Sequence, residues 1–213
     1  MIQRLRLGSN SYLLQVEGGF IVVDTGMPWE WGKLGRALRG LQLRGVVLTH
    51  HHLDHVGGAR RLWEERHVPV FVHSEDLPYI AGLTPRPPFP LPGLGAWLAN
   101  LPRSLPREAL TPVEEGEDLF GWRVVHLPGH TPGQIGLLRG DDFIAADAFL
   151  VRNRGPQPPA KAVSADLPEA LRTLRKIAAL PFSTAWVGHG PPTTHEAVRR
   201  LVERLEQRGL LPS

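Results

Sequence analysis

The chain has 213 residues, of which 42% are hydrophobic and 21% are charged, and its formal net charge is +3. This composition is typical of a globular protein and excludes a disordered or collagen-like chain. The length fits one medium-sized domain, so we expect a single domain over residues 1–213. The weak, dispersed positive charge does not favour a nucleic-acid partner.

Location and metal chemistry are also restricted by composition. No apolar run approaches the length of a transmembrane helix, and Met1 to Leu7 do not resemble a secretory signal, so we expect a cytoplasmic protein without membrane contact. The absence of cysteine leaves only nitrogen and oxygen ligands for a metal. Arginine outnumbers lysine and there are 21 prolines, a composition that favours a thermostable protein.

Short apolar segments and turn residues alternate in the first third of the chain. The two segments before Asp24 flank Gly18 and Gly19 and predict a β-hairpin. After Asp24, helical spacing of apolar residues alternates with short apolar runs. The predicted strands cover residues 11–16, 20–23, 46–49 and 70–73, and the predicted helices cover residues 31–41 and 56–66.

Residues 78–112 interrupt this pattern because their many prolines exclude a long helix or a central strand. We expect an insertion-like loop with at most one short helix. Since long loops in compact domains are usually functional, we predict a substrate-selecting lid in which Phe89 and Trp97 contact the substrate. The alternative is an apolar contact between two copies of the chain in a homodimer.

Regular structure resumes near Trp122. The predicted strands cover residues 122–127, 135–138, 143–146 and 184–187, and residues 152–164 are expected to be irregular. Capping boxes opened by Asp166 and Thr193 predict two helices, the second of which ends at Gly209. Two groups of strands with helices between them indicate an α/β fold.

The segment from Thr49 to His55, Thr-His-His-His-Leu-Asp-His, follows a predicted strand and is dense in metal-binding side chains. In extended backbone, His50 and His52 share a face and His51 points away from them. Asp54 and His55 open the next helix, where the helix dipole favours a carboxylate. We therefore predict a metal site at this strand end and expect His51 to support it or to be exposed.

Three further candidate ligands, His130, Asp147 and His189, each follow an apolar strand. Any one of them alone would be read as a hydrogen-bonded loop residue. Side chains at strand ends can converge on one edge of a sheet, so together they strengthen the prediction of a metal site.

This order of residues is similar to the motif of the metallo-β-lactamase superfamily, Thr-His-x-His-x-Asp-His followed by a distant His, Asp and His. The resemblance extends from the hairpin before Asp24 to the last helix and is that of a small, single-domain, glyoxalase II-like member. It implies an αββα sandwich of two facing mixed β-sheets with outer helices. The chain departs from the family at Ala146, where most members have glycine before the aspartate.

The resemblance also implies a role for each ligand. One metal ion would be bound by His50, His52 and His130, the second by Asp54, His55 and His189, and Asp147 would bridge the two. Asp24 would support the metal loop without binding metal.

Such a ligand set suits hydrolysis. Two adjacent divalent ions lower the pKa of a shared water and make metal-bound hydroxide available near neutral pH, and Asp54 would act as the catalytic residue that orients it. Zn²⁺ is expected, with two ions per chain, and Mn²⁺ or Fe²⁺ would also suit the ligands. We therefore predict a binuclear metal-dependent hydrolase acting on a small carbonyl substrate, an ester, thioester or lactone.

Two other functions use the same fold. A phosphodiesterase or nuclease acting on RNA or nucleotides is the main alternative, but neither irregular segment interleaves basic residues with stacking aromatics. A non-catalytic binding module is the other, and the intact ligand set argues against it. We expect a small-molecule substrate and no nucleic-acid partner.

Overall fold

The computed structural model describes residues 1–85 and 104–212. Within them the chain divides into two units, Met1–Val113 and Glu114–Ser213, each with its own main β-sheet and its own hydrophobic core. The single domain over the whole chain stays a prediction. Phe89, Trp97 and most of the predicted lid lie outside the described residues.

The first unit is built on a six-stranded mixed sheet whose strands follow the order of the chain. Its strands are β1 (Ile2–Arg6), β2 (Asn10–Val16), β3 (Gly19–Val23), β4 (Leu43–Val47), β5 (Val70–His73) and β6 (Leu110–Val113). The pairs β1–β2 and β2–β3 are antiparallel, as the predicted hairpin requires. The pairs from β3 to β6 are parallel, so each needs a crossover connection.

Helices lie in these crossovers of the first unit. They are α1 (Trp31–Ala37), α2 (Leu53–Val56), α3 (Ala59–Arg66) and α4 (Leu77–Ile80). Leu34, Leu38 and Leu62 are fully buried and belong to one core cluster with Val22 and Val46 of the sheet. Burial of these apolar side chains stabilises the unit at about 25 cal/mol per Å² removed from water.

The second unit contains a six-stranded sheet and a separate hairpin. Its strands are β7 (Asp118–Leu119), β8 (Trp122–His126), β9 (Ile135–Arg139), β10 (Asp142–Ala146), β11 (Leu150–Arg152), β12 (Gly155–Gln157), β13 (Thr184–Val187) and β14 (Thr193–Thr194). The order in the large sheet is β14-β13-β10-β9-β8-β7, and β11 pairs with β12. Only β10 and β13 are parallel among the described pairs of this unit.

Two amphipathic helices, α5 (Leu167–Ala178) and α6 (His195–Gln207), cover one core of the second unit. The side chain of Asp166 caps α5 by accepting the N–H of Glu169 at 2.9 Å, as predicted. The cap of α6 is Thr194, one residue later than expected. None of the helices in the described part of the chain is long and apolar enough to cross a membrane.

The predicted α/β class is confirmed, with two mixed sheets and helices, but three local predictions are wrong. The predicted loop over 78–112 is not irregular throughout, since β6 begins at Leu110 and its place at the sheet edge tolerates Pro112. The predicted helix over 56–66 is instead two helices, α2 and α3, because the N–H of Gly58 donates to the Oγ1 of Thr25 at 3.1 Å. Residues 152–164 are not irregular throughout, since β12 pairs with β11 there. Sequence reasoning missed this hairpin because its strands are only three residues long.

Ala146 lies at the end of β10 in a left-handed backbone conformation, with φ of 48°. The register between β10 and β13 shifts just before it, and its carbonyl accepts the N–H of Gly188 at 2.8 Å. A left-handed conformation costs a residue with a Cβ about 1–2 kcal/mol. The backbone at this position is therefore the one that glycine adopts without strain, in agreement with the glycine of most family members.

We expect Ala146→Gly to leave the free energy of unfolding within about 1 kcal/mol of the wild type, because relief of strain offsets the added chain entropy. Ala145→Gly is the matched control, since Ala145 is equally buried and its φ is not positive. It should lose about 1–2 kcal/mol. Urea unfolding in the presence of a chelator measures both, and equal losses would contradict a strained Ala146.

Glu115 is an ionisable group of the second unit whose pKa is shifted by its surroundings. Partial burial raises its pKa, but hydrogen bonds from Lys176 Nζ at 2.8 Å and from the backbone N–H of His126 outweigh burial. The pKa of Glu115 therefore lies below its ordinary value. The lowered pKa means that the folded protein favours the ionised carboxylate.

We expect Glu115→Gln to destabilise the protein by about 1 kcal/mol or less at pH 7, because the carboxylate is half-exposed and screened by solvent. The difference in the free energy of unfolding between the wild type and the variant is largest above pH 4.3, about the pKa of Glu115 in the unfolded chain. It disappears as the pH falls through the lower pKa of Glu115 in the folded protein. Thermal unfolding between pH 3 and 7 measures this dependence. Glu203→Gln, at an exposed position of α6, should show no such change with pH.

Candidate metal centre

The metal loop, residues 48–52, connects the end of β4 to the first residue of α2. Leu48, Thr49, His50 and His51 are all buried, so this polar loop is part of the interior of the first unit. His52 has an extended backbone, with φ of −65° and ψ of 148°, and stands at the N-cap of α2. The carbonyl of His52 accepts the N–H groups of His55 and Val56, which starts the helix.

The structure brings together the imidazole rings of three predicted ligands in this unit. The Nε2 of His50 lies 3.2 Å from the Nδ1 of His52, and the ring centroids of His50 and His55 are 4.1 Å apart. The Nε2 of His55 lies 3.6 Å from Oδ2 of Asp54. The four predicted ligands of the first unit therefore form two adjacent pairs.

Asp24 supports both pairs through one buried carboxylate. Its Oδ1 accepts the backbone N–H of Thr49 at 2.8 Å, and its Oδ2 accepts the Thr49 hydroxyl at 2.8 Å. The same Oδ2 lies 2.7 Å from Nδ1 of His55. The Thr49 hydroxyl also contacts Nδ1 of His50 at 3.0 Å, so Asp24 orients His55 directly and His50 through Thr49.

The turn after β3 fixes the position of α2. Asp24 has a φ of 58°, a left-handed conformation that aspartate tolerates better than most residues. Thr25 then donates its N–H and its hydroxyl to the carbonyl of His55, at 2.7 and 2.9 Å. The Ser9 hydroxyl donates to the carbonyl of Asp54 at 2.6 Å. The backbone of Asp54 and His55 is therefore held by groups from distant parts of the sequence.

The second unit places its three candidate ligands at one edge of its sheet. They follow β8, β10 and β13, which run in the same direction, so their carboxyl ends share that edge. Oδ2 of Asp147 lies 3.5 Å from Nε2 of His130 and 3.4 Å from Nε2 of His189. His130 is buried, and its Nδ1 lies 3.4 Å from the hydroxyl of Ser164.

The ligand atoms in each unit are spaced as a metal ion requires. Two atoms bound at about 2.0–2.2 Å to one tetrahedral ion lie roughly 3.3–3.6 Å apart. The pairs described above lie 3.2 to 3.6 Å apart. In three of these histidines, Nε2 is the atom that belongs to a pair, and Nδ1 contacts a hydroxyl or a carboxylate. They are His50, His55 and His130. The donor set and its supports therefore fit divalent transition metals.

Several supporting residues were missed by sequence reasoning. Ser9 and Ser164 contact candidate ligands or their backbone, and no sequence signal separates them from other serines. Thr49 is visible as the first residue of the motif, but its contacts with Asp24 and His50 were not predicted. His51 was expected to support the site or to be exposed, and it is 2% exposed. Its Nδ1 and its backbone N–H both contact Asp76, a residue that sequence reasoning did not single out.

Residues 4–189 match the family model described as the metallo-β-lactamase superfamily. The chain is 29% identical to the probable metallo-hydrolase YflN of Bacillus subtilis, over 94% of this chain and 87% of that protein. It is 30% identical to a hydroxyacylglutathione hydrolase of Alkalilimnicola ehrlichii, over 79% of this chain but only 55% of that protein. The crystal structure of TTHA1623 in a di-iron-bound form superposes with a TM-score of 0.75 at 32% identity, covering 94% of this chain and 98% of that one.

We expect Asp24→Asn to weaken metal binding by about 10–100-fold, because both carboxylate oxygens of Asp24 accept hydrogen bonds and an amide replaces one of them with an NH₂ group, which cannot accept. Competition with a chromophoric chelator measures the affinity. Asp118→Asn is the control, since Asp118 accepts the N–H of Gly121 at 2.9 Å in an exposed turn. Unchanged affinity in Asp24→Asn would show that the carboxylate does not orient the ligands.

Proposed function

The chain belongs to the metallo-β-lactamase superfamily and is a hydrolase, and we propose that it uses two divalent metal ions to hydrolyse a small carbonyl substrate. The observation that carries this proposal is the spacing of the candidate ligand atoms, since the two atoms of each pair lie 3.2 to 3.6 Å apart, as two atoms bound to the same ion would. A hydrolase that had lost its metals would have no reason to keep buried imidazoles so spaced and so supported.

We propose the ligand assignment that the family resemblance implies. His50, His52 and His130 bind one ion, Asp54, His55 and His189 bind the other, and Asp147 bridges them. The position of Asp147 supports the bridging role, because one of its oxygens lies at similar distances from two imidazole nitrogens. We propose Zn²⁺ as the resident metal. Iron is the main alternative, because TTHA1623 was crystallised in a di-iron-bound form.

Divalent ions held by these residues would supply a water of lowered pKa and would polarise the carbonyl group of the substrate. The protein supplies orientation. Asp54 is partly exposed, one of its carboxylate oxygens faces His55, and we propose that the other accepts a hydrogen bond from the attacking water. The bond from Ser9 to the Asp54 carbonyl fixes the backbone of this residue at the start of α2, from which its carboxylate extends.

We propose an ester, thioester or lactone as the substrate. The thioester class is supported by the similarity to hydroxyacylglutathione hydrolases, although the chain spans about half the length of the Alkalilimnicola protein. A phosphodiester substrate has less support, because the described irregular segments carry no basic surface interleaved with aromatics. Phe89 and Trp97 stay proposed substrate contacts.

We expect purified protein, loaded with Zn²⁺, to contain about two ions per chain and to hydrolyse members of a panel of thioesters, lactones and aryl esters. The rate should rise with pH and show an inflection at about pH 7, as a water of lowered pKa ionises. Elemental analysis and initial rates measure both. Fewer than one ion per chain at saturating metal, or activity confined to phosphodiesters, would contradict the proposal.

Asp54→Ala should lower the turnover of the best substrate by about 10²-fold or more, because it removes the group that orients the water. His52→Ala should abolish turnover by removing a ligand. His67→Asn is the matched control, since His67 is an exposed histidine with a left-handed backbone that asparagine tolerates. Near-normal turnover in a metal-loaded Asp54→Ala protein would show that Asp54 has no catalytic role.

A further inference from the structure

The side chain of Asp76 is fully buried and binds the residue that separates two proposed ligands. Its Oδ2 accepts the backbone N–H of His51 at 2.8 Å and lies 3.0 Å from Nδ1 of the same residue. Asp76 is 0% exposed and His51 is 2% exposed. One carboxylate oxygen therefore fixes both the main chain and the ring of His51.

The orientation of this carboxylate is unusual for its place in the chain. Asp76 occupies the N-cap position of α4, where aspartate normally accepts an N–H from the first turn of its own helix. Its side chain makes no such bond. The carbonyl of Asp76 accepts the N–H groups of Tyr79 and Ile80 instead, each at 3.2 Å. The carboxylate is thus directed away from the helix that it would ordinarily stabilise and toward the metal loop.

A buried carboxylate is retained at a cost of several kcal/mol unless its surroundings compensate it. The compensation includes two contacts with His51, which lies between His50 and His52. The N–H that Asp76 accepts belongs to the peptide that joins His50 to His51, so rotation of this peptide breaks the bond. The same rotation would change the 3.2 Å spacing between the nitrogens of His50 and His52.

The ring of His51 is held on a second side. It stacks on Tyr79 of α4, with ring centroids 4.4 Å apart and an interplanar angle of 20°. Its Nε2 makes no hydrogen bond among the described residues, so Nδ1 is the ring atom through which it is oriented. Asp76 and Tyr79 belong to one short segment, and this segment contacts His51 through a hydrogen bond and through ring stacking.

We propose that Asp76 is a positioning residue for the metal site, acting through His51 to hold the ligands His50 and His52 in binding geometry. This inference rests on the proposed function, since it requires that the loop bind metal. Asp76 itself touches neither metal nor substrate. Its effect is on the affinity and the coordination geometry of the ion that His50 and His52 share.

Metal affinity and the Co²⁺ absorption spectrum test this role without measuring activity. Asp76→Ser should weaken Zn²⁺ binding by about 10–100-fold and shift the visible Co²⁺ bands, because serine is too short to reach His51. Serine is also a good N-cap residue, so this variant can support α4 and keeps the protein folded. Asp76→Asn should stay within about threefold of the wild type, because one amide oxygen can replace the oxygen that binds His51.

Ile80→Ala separates positioning from general loss of stability. Ile80 is fully buried on the same helix as Tyr79, so its truncation leaves a cavity and should lower the melting temperature of the protein. Its Zn²⁺ affinity and Co²⁺ spectrum should match those of the wild type. An Asp76→Ser protein with wild-type affinity and spectrum would overturn the role of Asp76, as would an Ile80→Ala protein with the same losses. Failure of the wild type to bind metal would instead overturn the proposed function.

Discussion

The metal loop depends on one buried carboxylate, that of Asp24. Removing a charge from water costs several kcal/mol unless hydrogen bonds replace its solvation. The groups that replace it here include the N–H and hydroxyl of Thr49 and Nδ1 of His55, all from the segment that carries the ligands. A different loop conformation would leave the charge unsatisfied, so the carboxylate selects the conformation in which His50 and His55 are oriented.

Much of the fold and of the candidate site is predictable because it depends on local patterns. The hairpin β2–β3 follows from two apolar segments around glycines, and the caps of α5 and α6 follow from short polar motifs. The candidate ligands His130, Asp147 and His189 lie within four residues of the ends of β8, β10 and β13, and this position after an apolar strand is visible in the sequence. Parallel strand direction then places such residues at a common edge.

The hydrogen bonds that hold the candidate ligands and their loop were less predictable, because they join residues far apart in the sequence. Asp76 contacts His51 across 25 positions, and Ser164 contacts His130 across 34. Nothing local distinguishes Asp76 from an ordinary helix cap. The break between α2 and α3 has the same origin, since it depends on the Thr25 hydroxyl, 33 positions before Gly58. The spacing of apolar residues indicates which face of a helix or strand is buried, but it does not indicate which distant side chain packs against that face.

The separation of the two sheets along the chain has a consequence for biosynthesis. All strands of the first sheet lie between Ile2 and Val113, and its core cluster includes no residue after Leu110. All strands of the first sheet are therefore synthesised before the second unit, Glu114–Ser213, is begun. Synthesis of the second unit takes roughly 5–20 s, at about 5–20 residues per second. Co-translational folding can thus close the first core, with residues 48–52 inside it, before the segments that carry His130, Asp147 and His189 have left the ribosome.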